Sequence, residues 1–155
     1  MKHKSGDRLK KYSRLKGSMT ESKVATVSEI YPWLSEHWDF FMSRLNAGRL
    51  AHALLIAGAA GNGKLALAAA MVARLLCNED QPRACGVCRS CKLLAGGAHP
   101  DYFELQPEED SKVIKVDQVR GLIAKLDLTT SISARKVAFI HPAESMNGAA
   151  ANALL

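Results

Sequence analysis

A glycine-rich turn between an apolar run and an alanine-rich stretch constrains the fold of this chain more than any other feature. Residues 53–57 are continuously apolar and are followed by the sequence GAAGNGK at residues 58–64. This sequence matches G-x-x-x-x-G-K, in which backbone N–H groups surround phosphate oxygens and the lysine reaches the terminal phosphates. Residues 65–76 are rich in Ala, Leu and Met, which is typical of a buried helix. The order strand, phosphate loop, helix predicts a P-loop α/β fold with a buried parallel strand at 53–57.

The phosphate loop departs from a working nucleotide site at the positions that handle Mg²⁺. Leu65 stands where the motif has a Ser or Thr whose hydroxyl binds the ion. The apolar run 137–140 ends in His141 and a proline rather than in carboxylates, and Glu144 lies past that proline. Three interpretations stay open: a competent nucleotide hydrolase, a degenerate pocket that binds phosphate weakly, and a turn kept for structure. No catalytic residue is predicted, and the candidate nucleotide-binding residues are Gly58, Gly61, Gly63 and Lys64.

All four cysteines lie in a polar stretch at residues 77–97. Cys77, Cys85, Cys88 and Cys91 have the spacing C-x7-C-x2-C-x2-C, and four thiolates complete a tetrahedral zinc site. An iron–sulfur cluster and free or disulfide-bonded thiols are the alternatives, although no proline follows the last cysteine and a reducing compartment disfavours disulfides. Because protein ligands fill every position, the predicted Zn²⁺ is structural and folds an insertion that has almost no core of its own.

The rest of the chain alternates strand and helix patterns. Short apolar runs predict strands at 102–105 and 136–140, and helical periodicity predicts helices at 35–47, 117–126 and after residue 147. This alternation favours an α/β class with a mainly parallel sheet. The predicted helix N-caps are Ser35, Asp117 and Asn147. Turn or packing roles, rather than catalysis, are predicted for His52 and His99. Core or helix-packing roles, rather than contact with a partner, are predicted for Trp33 and Trp38.

The net charge of +6 is confined to the start of the chain. Residues 1–23 carry eight basic and two acidic side chains, whereas the remainder carries thirteen of each. We interpret 1–23 as a disordered leader or tag, with an electrostatic tether to nucleic acid or a partner as the alternative. The neutral remainder argues against a DNA-binding module, since such binding depends on phosphate neutralisation. No secretory signal is present and the uncharged run 50–63 is too short to span a bilayer, so we expect a cytoplasmic protein without membrane contact.

The motifs of residues 31–155 follow one another in a characteristic order. After the phosphate loop come the four cysteines, then HPDYFEL at 99–105, VDQVRGLIAKL at 116–126, KVAFIHPAESMN at 136–147 and AAANALL at 149–155. This series resembles the delta prime family of bacterial DNA polymerase III clamp-loader subunits. The resemblance implies an AAA+ (RecA-like) three-layer domain at 24–155, with a zinc module at 77–97 inserted into it.

A function and partners follow from the same resemblance. It implies a non-hydrolysing stator that helps load the sliding clamp onto primed DNA in DNA replication, in a hetero-pentamer with gamma/tau and delta subunits. It also implies zinc at the four cysteines, and ATP binding that is weak or lost. Leu65 and His141 distinguish the chain from the ATP-hydrolysing gamma/tau subunits, which are the alternative. AAANALL carries no helix-stop signal, so we expect an N-terminal fragment, with the family's arginine finger and further domains beyond Leu155.

Overall fold

A computed structural model describes residues 30–154 of the chain. The leader predicted at 1–23 lies outside these residues. In chain order the elements are a 3-10 turn at Pro32–Leu34, α1 at Ser35–Asn46, α2 at Lys64–Leu76, α3 at Arg89–Ala95, β1 at Tyr102–Leu105, α4 at Val116–Leu126, β2 at Val137–Ile140, a second 3-10 turn at Ala143–Ser145 and α5 at Gly148–Leu154. Within 30–154 no helix is long and apolar enough to cross a membrane.

The two strands form a small parallel sheet, as the α/β prediction requires. β1 and β2 pair in register from Tyr102 opposite Val137 to Leu105 opposite Ile140. α4 lies in the connection between them, because parallel neighbours need a crossover rather than a tight turn. Alternate side chains of each strand face opposite sides of the sheet. The predicted strands at 102–105 and 136–140 are therefore confirmed.

Helices cover both faces of this sheet. The end of α2 and α3 pack on one face, around Leu76 and Leu94, together with Tyr102 of β1. α4 and α5 pack on the other face, where Val119 and Ala150 are fully buried. A third cluster joins α1 to the middle of α2. The four-cysteine stretch and the glycine-rich loop thus lie at opposite ends of α2.

The apolar run 53–57 is not the buried strand that the sequence predicts. These residues belong to no ladder, and the side chains of Leu54 and Leu55 are 48% and 82% exposed. A continuous apolar run is buried as a parallel strand only where other strands pair with its edges and helices cover its faces. Between residues 30 and 154, no segment pairs with this run. Ile56 is half-buried against the cluster of α1 and α2.

Two of the predicted helix caps are wrong. α1 begins at Ser35 itself, and the Ser35 hydroxyl donates to the carbonyl of Pro32 at 2.8 Å, within the preceding 3-10 turn. α4 begins one residue before Asp117, because the Gln118 side chain accepts a hydrogen bond from the backbone N–H of Lys115 at 2.8 Å. Asp117 lies in the first turn, where a negative charge complements the helix dipole.

The predicted cap of the last helix and the predicted packing of Trp38 are confirmed. Asn147 caps α5, since its Oδ1 accepts a hydrogen bond from the backbone N–H of Ala150 at 2.8 Å. Gly48 follows α1 with a φ of +65°, a conformation that favours glycine at a helix end. Trp38 is buried in the cluster of α1 and α2, in agreement with the packing role predicted for it.

Candidate metal centre and phosphate loop

The four cysteine sulfurs converge between the end of α2 and the start of α3. Cys77 follows α2 directly, Cys85 and Cys88 lie in the loop, and Cys91 lies in the first turn of α3. Their Sγ atoms all lie within 4.8 Å of one another, and this set could hold a metal ion. Cys91 is buried and the other three are half-buried.

Backbone N–H groups point at three of the four sulfurs. The N–H of Cys85 donates to Cys77 Sγ at 3.4 Å, that of Cys88 to Cys85 Sγ at 3.3 Å, and that of Cys91 to Cys88 Sγ at 3.4 Å. Hydrogen bonds to sulfur stabilise the thiolate, which is the form that binds metal. Gly86 has a φ of +73°, which allows the tight turn between Cys85 and Cys88.

The thiols differ in acidity. Burial raises the pKa of Cys77 and of Cys91. Burial alone would also raise the pKa of Cys88, but hydrogen bonds from the backbone of Asn78 and Cys91 and from neighbouring thiols lower it to about 7. A metal ion binds thiolates, so binding must displace protons from Cys77 and Cys91 and must weaken at low pH.

The donor set fits zinc. Thiolates about 2.3 Å from a tetrahedral zinc lie about 3.8 Å apart. Cys85 Sγ and Cys91 Sγ are separated by 3.9 Å, close to that spacing. Four sulfur donors from the protein leave no coordination position for a substrate, so such an ion would cross-link the loop rather than perform chemistry.

The phosphate loop has the predicted backbone shape. Gly61 and Gly63 have φ values of +82° and +87°, which residues with a Cβ rarely adopt. α2 starts at Lys64, so the loop leads directly into a helix N-terminus. Leu65, in the position of the missing hydroxyl, is 38% exposed.

Two donors of the loop, both of Lys64, already bond to the loop itself. The backbone N–H of Lys64 donates to Asn62 Oδ1 at 3.2 Å, and Lys64 Nζ donates to the carbonyl of Ala59 at 3.2 Å. Asn62 Nδ2 lies only 2.7 Å from the point where a Cβ on Gly58 would stand. The Asn62 side chain therefore lies against Gly58 and already engages the backbone donor of Lys64.

Two aromatic rings pack against the end of the loop. The rings of Tyr31 and Trp33 stack with centroids 4.8 Å apart and planes 7° from parallel. Trp33 Nε1 donates to the carbonyl of Asn62 at 3.0 Å, and a Cβ on Gly63 would stand 2.5 Å from the Tyr31 ring. Trp33 is 62% exposed and thus packs on the loop instead of entering the core. No sequence signal placed it there.

His141 directly follows β2, as predicted, and contacts a carboxylate that the sequence did not indicate. His141 Nε2 lies 2.6 Å from Oε1 of Glu104 on β1, and Gln106 donates to the same oxygen at 2.6 Å. Parallel pairing places both side chains at the carboxyl edge of the sheet. Glu144 is exposed in the second 3-10 turn, off the strand.

Fold and site together define an α/β domain with a small parallel sheet, a glycine-rich loop that leads into a helix, and a cluster of four cysteines. The family described as "DNA polymerase III, delta subunit" matches residues 33–155. The chain is 48% identical over 130 residues to DNA polymerase III subunit delta' of Pseudomonas aeruginosa, covering 83% of this chain and 39% of that protein. It is 40% identical over 126 residues to DNA polymerase III subunit delta' of Escherichia coli, covering 81% and 38%. The chain belongs to the family of DNA polymerase III delta' subunits.

A more distant similarity extends to another subunit. DNA polymerase III subunit tau of Escherichia coli is 29% identical over 112 residues, covering 72% of this chain and 17% of that protein. The chain spans about two-fifths of the length of the delta' relatives that it matches. Of the two Escherichia coli subunits, delta' is 40% identical to the chain over 126 residues and tau is 29% identical over 112 residues.

Proposed function

We propose that this chain serves in a clamp loader as a delta prime subunit that does not hydrolyse ATP. In this role an AAA+-like domain at 24–155, with the zinc module 77–97 inserted, assembles with gamma/tau and delta subunits in the cytoplasm. The assembly opens the sliding clamp and places it on primed DNA during replication. The observation that carries this proposal is the 48% identity to a delta' subunit, against 29% to tau.

The phosphate loop supports the absence of hydrolysis. Hydrolysis requires Mg²⁺ and an oriented water, and these depend on a hydroxyl after the lysine and carboxylates after the strand. Leu65 and His141 supply neither. The hydrogen bonds of Lys64 to Asn62 and Ala59 further reduce the number of donors left for a phosphate. Gly58, Gly61, Gly63 and Lys64 are thus proposed as a degenerate loop.

Zinc is proposed as the structural cofactor of Cys77, Cys85, Cys88 and Cys91. When bound, the ion supplies cross-links between the end of α2, the loop and α3. The backbone N–H groups of Cys85, Cys88 and Cys91 orient the sulfurs and stabilise their thiolate form. The loop 78–88 has few buried apolar side chains, so its ordering depends on such links.

Nucleotide titration of the 155-residue chain tests the proposal directly. Calorimetry with ATP is run with and without Mg²⁺, beside steady-state phosphate release. We expect no turnover and no tightening by Mg²⁺. Lys64→Ala is compared with Lys92→Ala, which removes an exposed lysine from the cysteine module.

The gamma/tau-like alternative makes the opposite prediction. Sustained hydrolysis that Lys64→Ala abolishes and Lys92→Ala retains would overturn the stator proposal. Assembly is tested by mixing the chain with gamma/tau and delta subunits and measuring co-elution. Metal analysis should give about one zinc per chain.

A further inference from the structure

A buried hydrogen-bond network lies beside the cysteine cluster. Ser90, His99, Asp101 and Ser133 are 0%, 5%, 0% and 5% exposed. They come from α3, from the turn before β1, and from the loop that leads into β2. A buried polar group destabilises the fold unless it is hydrogen-bonded. A network in which every group is bonded therefore favours a single arrangement of the backbone in this region.

One histidine tautomer satisfies the centre of the network. The hydroxyls of Ser90 and Ser133 both donate to the carbonyl of Leu76, the latter at 2.8 Å. His99 Nε2 lies 2.7 Å from the Ser90 oxygen and 3.2 Å from that of Ser133, so Nε2 carries the proton and donates. His99 Nδ1 accepts from the backbone N–H of Asp101 at 3.0 Å. A neutral imidazole with its proton on Nε2 fits all of these contacts.

The carboxylate of Asp101 fastens the loop before β2. It accepts hydrogen bonds from the backbone N–H groups of Ser131 at 2.7 Å, Ile132 at 2.8 Å and Ser133 at 2.9 Å. Burial alone would raise the pKa of Asp101, but these three donors hold it below its usual range. The carboxylate therefore stays charged and fixes the loop 131–133 to the start of β1.

The Ser–His–Asp composition is not arranged for nucleophilic catalysis. In a catalytic triad the carboxylate accepts a hydrogen bond from the histidine ring and the hydroxyl faces substrate. Here the Asp101 carboxylate bonds backbone amides, and the Ser90 hydroxyl is fully buried. The role of the network is to position backbone.

One member of the network, and the residue whose carbonyl accepts its hydrogen bonds, are adjacent in the chain to two of the four cysteines. Leu76, whose carbonyl accepts both serine hydroxyls, precedes Cys77, and Ser90 precedes Cys91. We infer that the network couples metal binding at the four cysteines to the position of the loop 131–133 and hence to the entry of β2. This inference rests on the metal centre of the proposed function. Coupling is reciprocal, so weakening the network must also weaken metal binding.

Amide hydrogen exchange measured by NMR on the 155-residue chain tests the coupling. Chelation of zinc should accelerate exchange at Ser131, Ile132 and Ser133 by about tenfold or more. Without the metal, the hydrogen bonds of these amides can open in a local fluctuation and do not require a larger part of the domain to unfold. The amides of α1, which make no contact with the network, serve as an internal reference. They should change by less than about threefold.

A double variant separates the network from other effects of the metal. Ser90→Ala with Ser133→Ala removes both hydroxyls but leaves every cysteine in place. Its zinc-bound form should exchange at 131–133 like the wild-type chain without zinc, and its zinc affinity should fall about tenfold. Ser43→Ala is the matched control, because it removes an exposed hydroxyl that donates to Phe40 within α1. This control should match the wild type in both measurements.

Each outcome decides the inference. If zinc binds but exchange at 131–133 does not respond to chelation, or responds equally in the double variant, the coupling is overturned while the metal centre stands. If chelation also accelerates exchange of the α1 amides, the exchange data no longer isolate the loop, and the zinc affinities of the variants are compared instead. Equal zinc affinities of the double variant and of Ser43→Ala overturn the coupling. If the chain binds no zinc, the metal centre itself fails.

Discussion

Asn62 folds its side chain over the phosphate loop, so that Oδ1 lies 3.2 Å from the backbone nitrogen of Lys64. The loop thus keeps the positive-φ glycines that a phosphate cradle requires, while one of its own side chains already accepts from a backbone donor at the helix N-terminus. The backbone shape of the loop depends on its glycines, whereas the availability of the Lys64 N–H depends on one asparagine.

Replacing that asparagine should open the loop. Asn62→Ala is expected to tighten binding of tripolyphosphate about fivefold, since a bound phosphate need no longer displace a hydrogen bond of about 1 kcal/mol. Calorimetry without Mg²⁺ measures the change. Asn46→Ala, at the exposed end of α1, is the control. Unchanged or weaker binding by Asn62→Ala would show that Asn62 does not block the cradle.

Loss of one thiol should abolish metal binding. Cys91→Ser is expected to reduce zinc content to near zero and to lower the thermal unfolding midpoint, because a three-thiolate site with a buried hydroxyl binds zinc poorly. Atomic emission and calorimetry measure the two effects. Val87→Ser changes a 70% exposed residue of the same loop and should retain both zinc and stability. Full zinc content in Cys91→Ser would remove that residue from the ligand set.

The charge of Asp101 should contribute substantially to stability. Asp101→Asn retains the shape of the side chain but replaces a charged acceptor of three backbone N–H groups, and it should cost about 3 kcal/mol of unfolding free energy. Urea unfolding measures this loss. Asp110→Asn, on the exposed loop before α4, should change stability by less than about 0.5 kcal/mol. A similar small effect of Asp101→Asn would mean that the loop 131–133 is held by other contacts.

Stability should fall on mild acidification because of His99. Burial lowers the pKa of His99, and the charge of Asp101 opposes this shift only in part. The unfolded chain takes up a proton near pH 6.5 while the folded chain does not, so this contribution is complete above pH 6.5 and is lost progressively below it. The slope is at most about 1.4 kcal/mol per pH unit. The other groups facing the ring are the hydroxyls of Ser90 and Ser133, which do not titrate here.

Comparison of two histidine variants isolates this effect from the pH dependence of zinc binding. Unfolding free energies are measured at pH 7.5, 6.5 and 5.5 for the wild type, His99→Gln and His52→Gln. His52 is exposed, so its variant should follow the wild type. The profile of His99→Gln should be flatter between pH 6.5 and 5.5. Parallel profiles of all three proteins would contradict a buried neutral His99.

The sequence predicted those elements whose determining residues lie close together in the chain. The strand at 102–105 and the apolar face of α4 follow from periodicity, because the helix and strand repeats decide which side chains share a face. The loop at 58–63 needs glycines for its backbone angles, and the cysteine spacing suits one ion. Each of these signals is complete within about twenty residues. Sequence alone was therefore sufficient for them.

Tertiary structure decided the features that depend on distant partners. The run 53–57 has a strand's composition, but a strand exists only where another backbone completes its hydrogen bonds. Trp33 reaches a carbonyl 29 residues away, and Ser133 reaches the carbonyl of Leu76 across 57 residues. Such polar contacts between isolated side chains leave no periodic trace in a sequence. They arise only once packing has brought the groups together and excluded the water that would otherwise satisfy them.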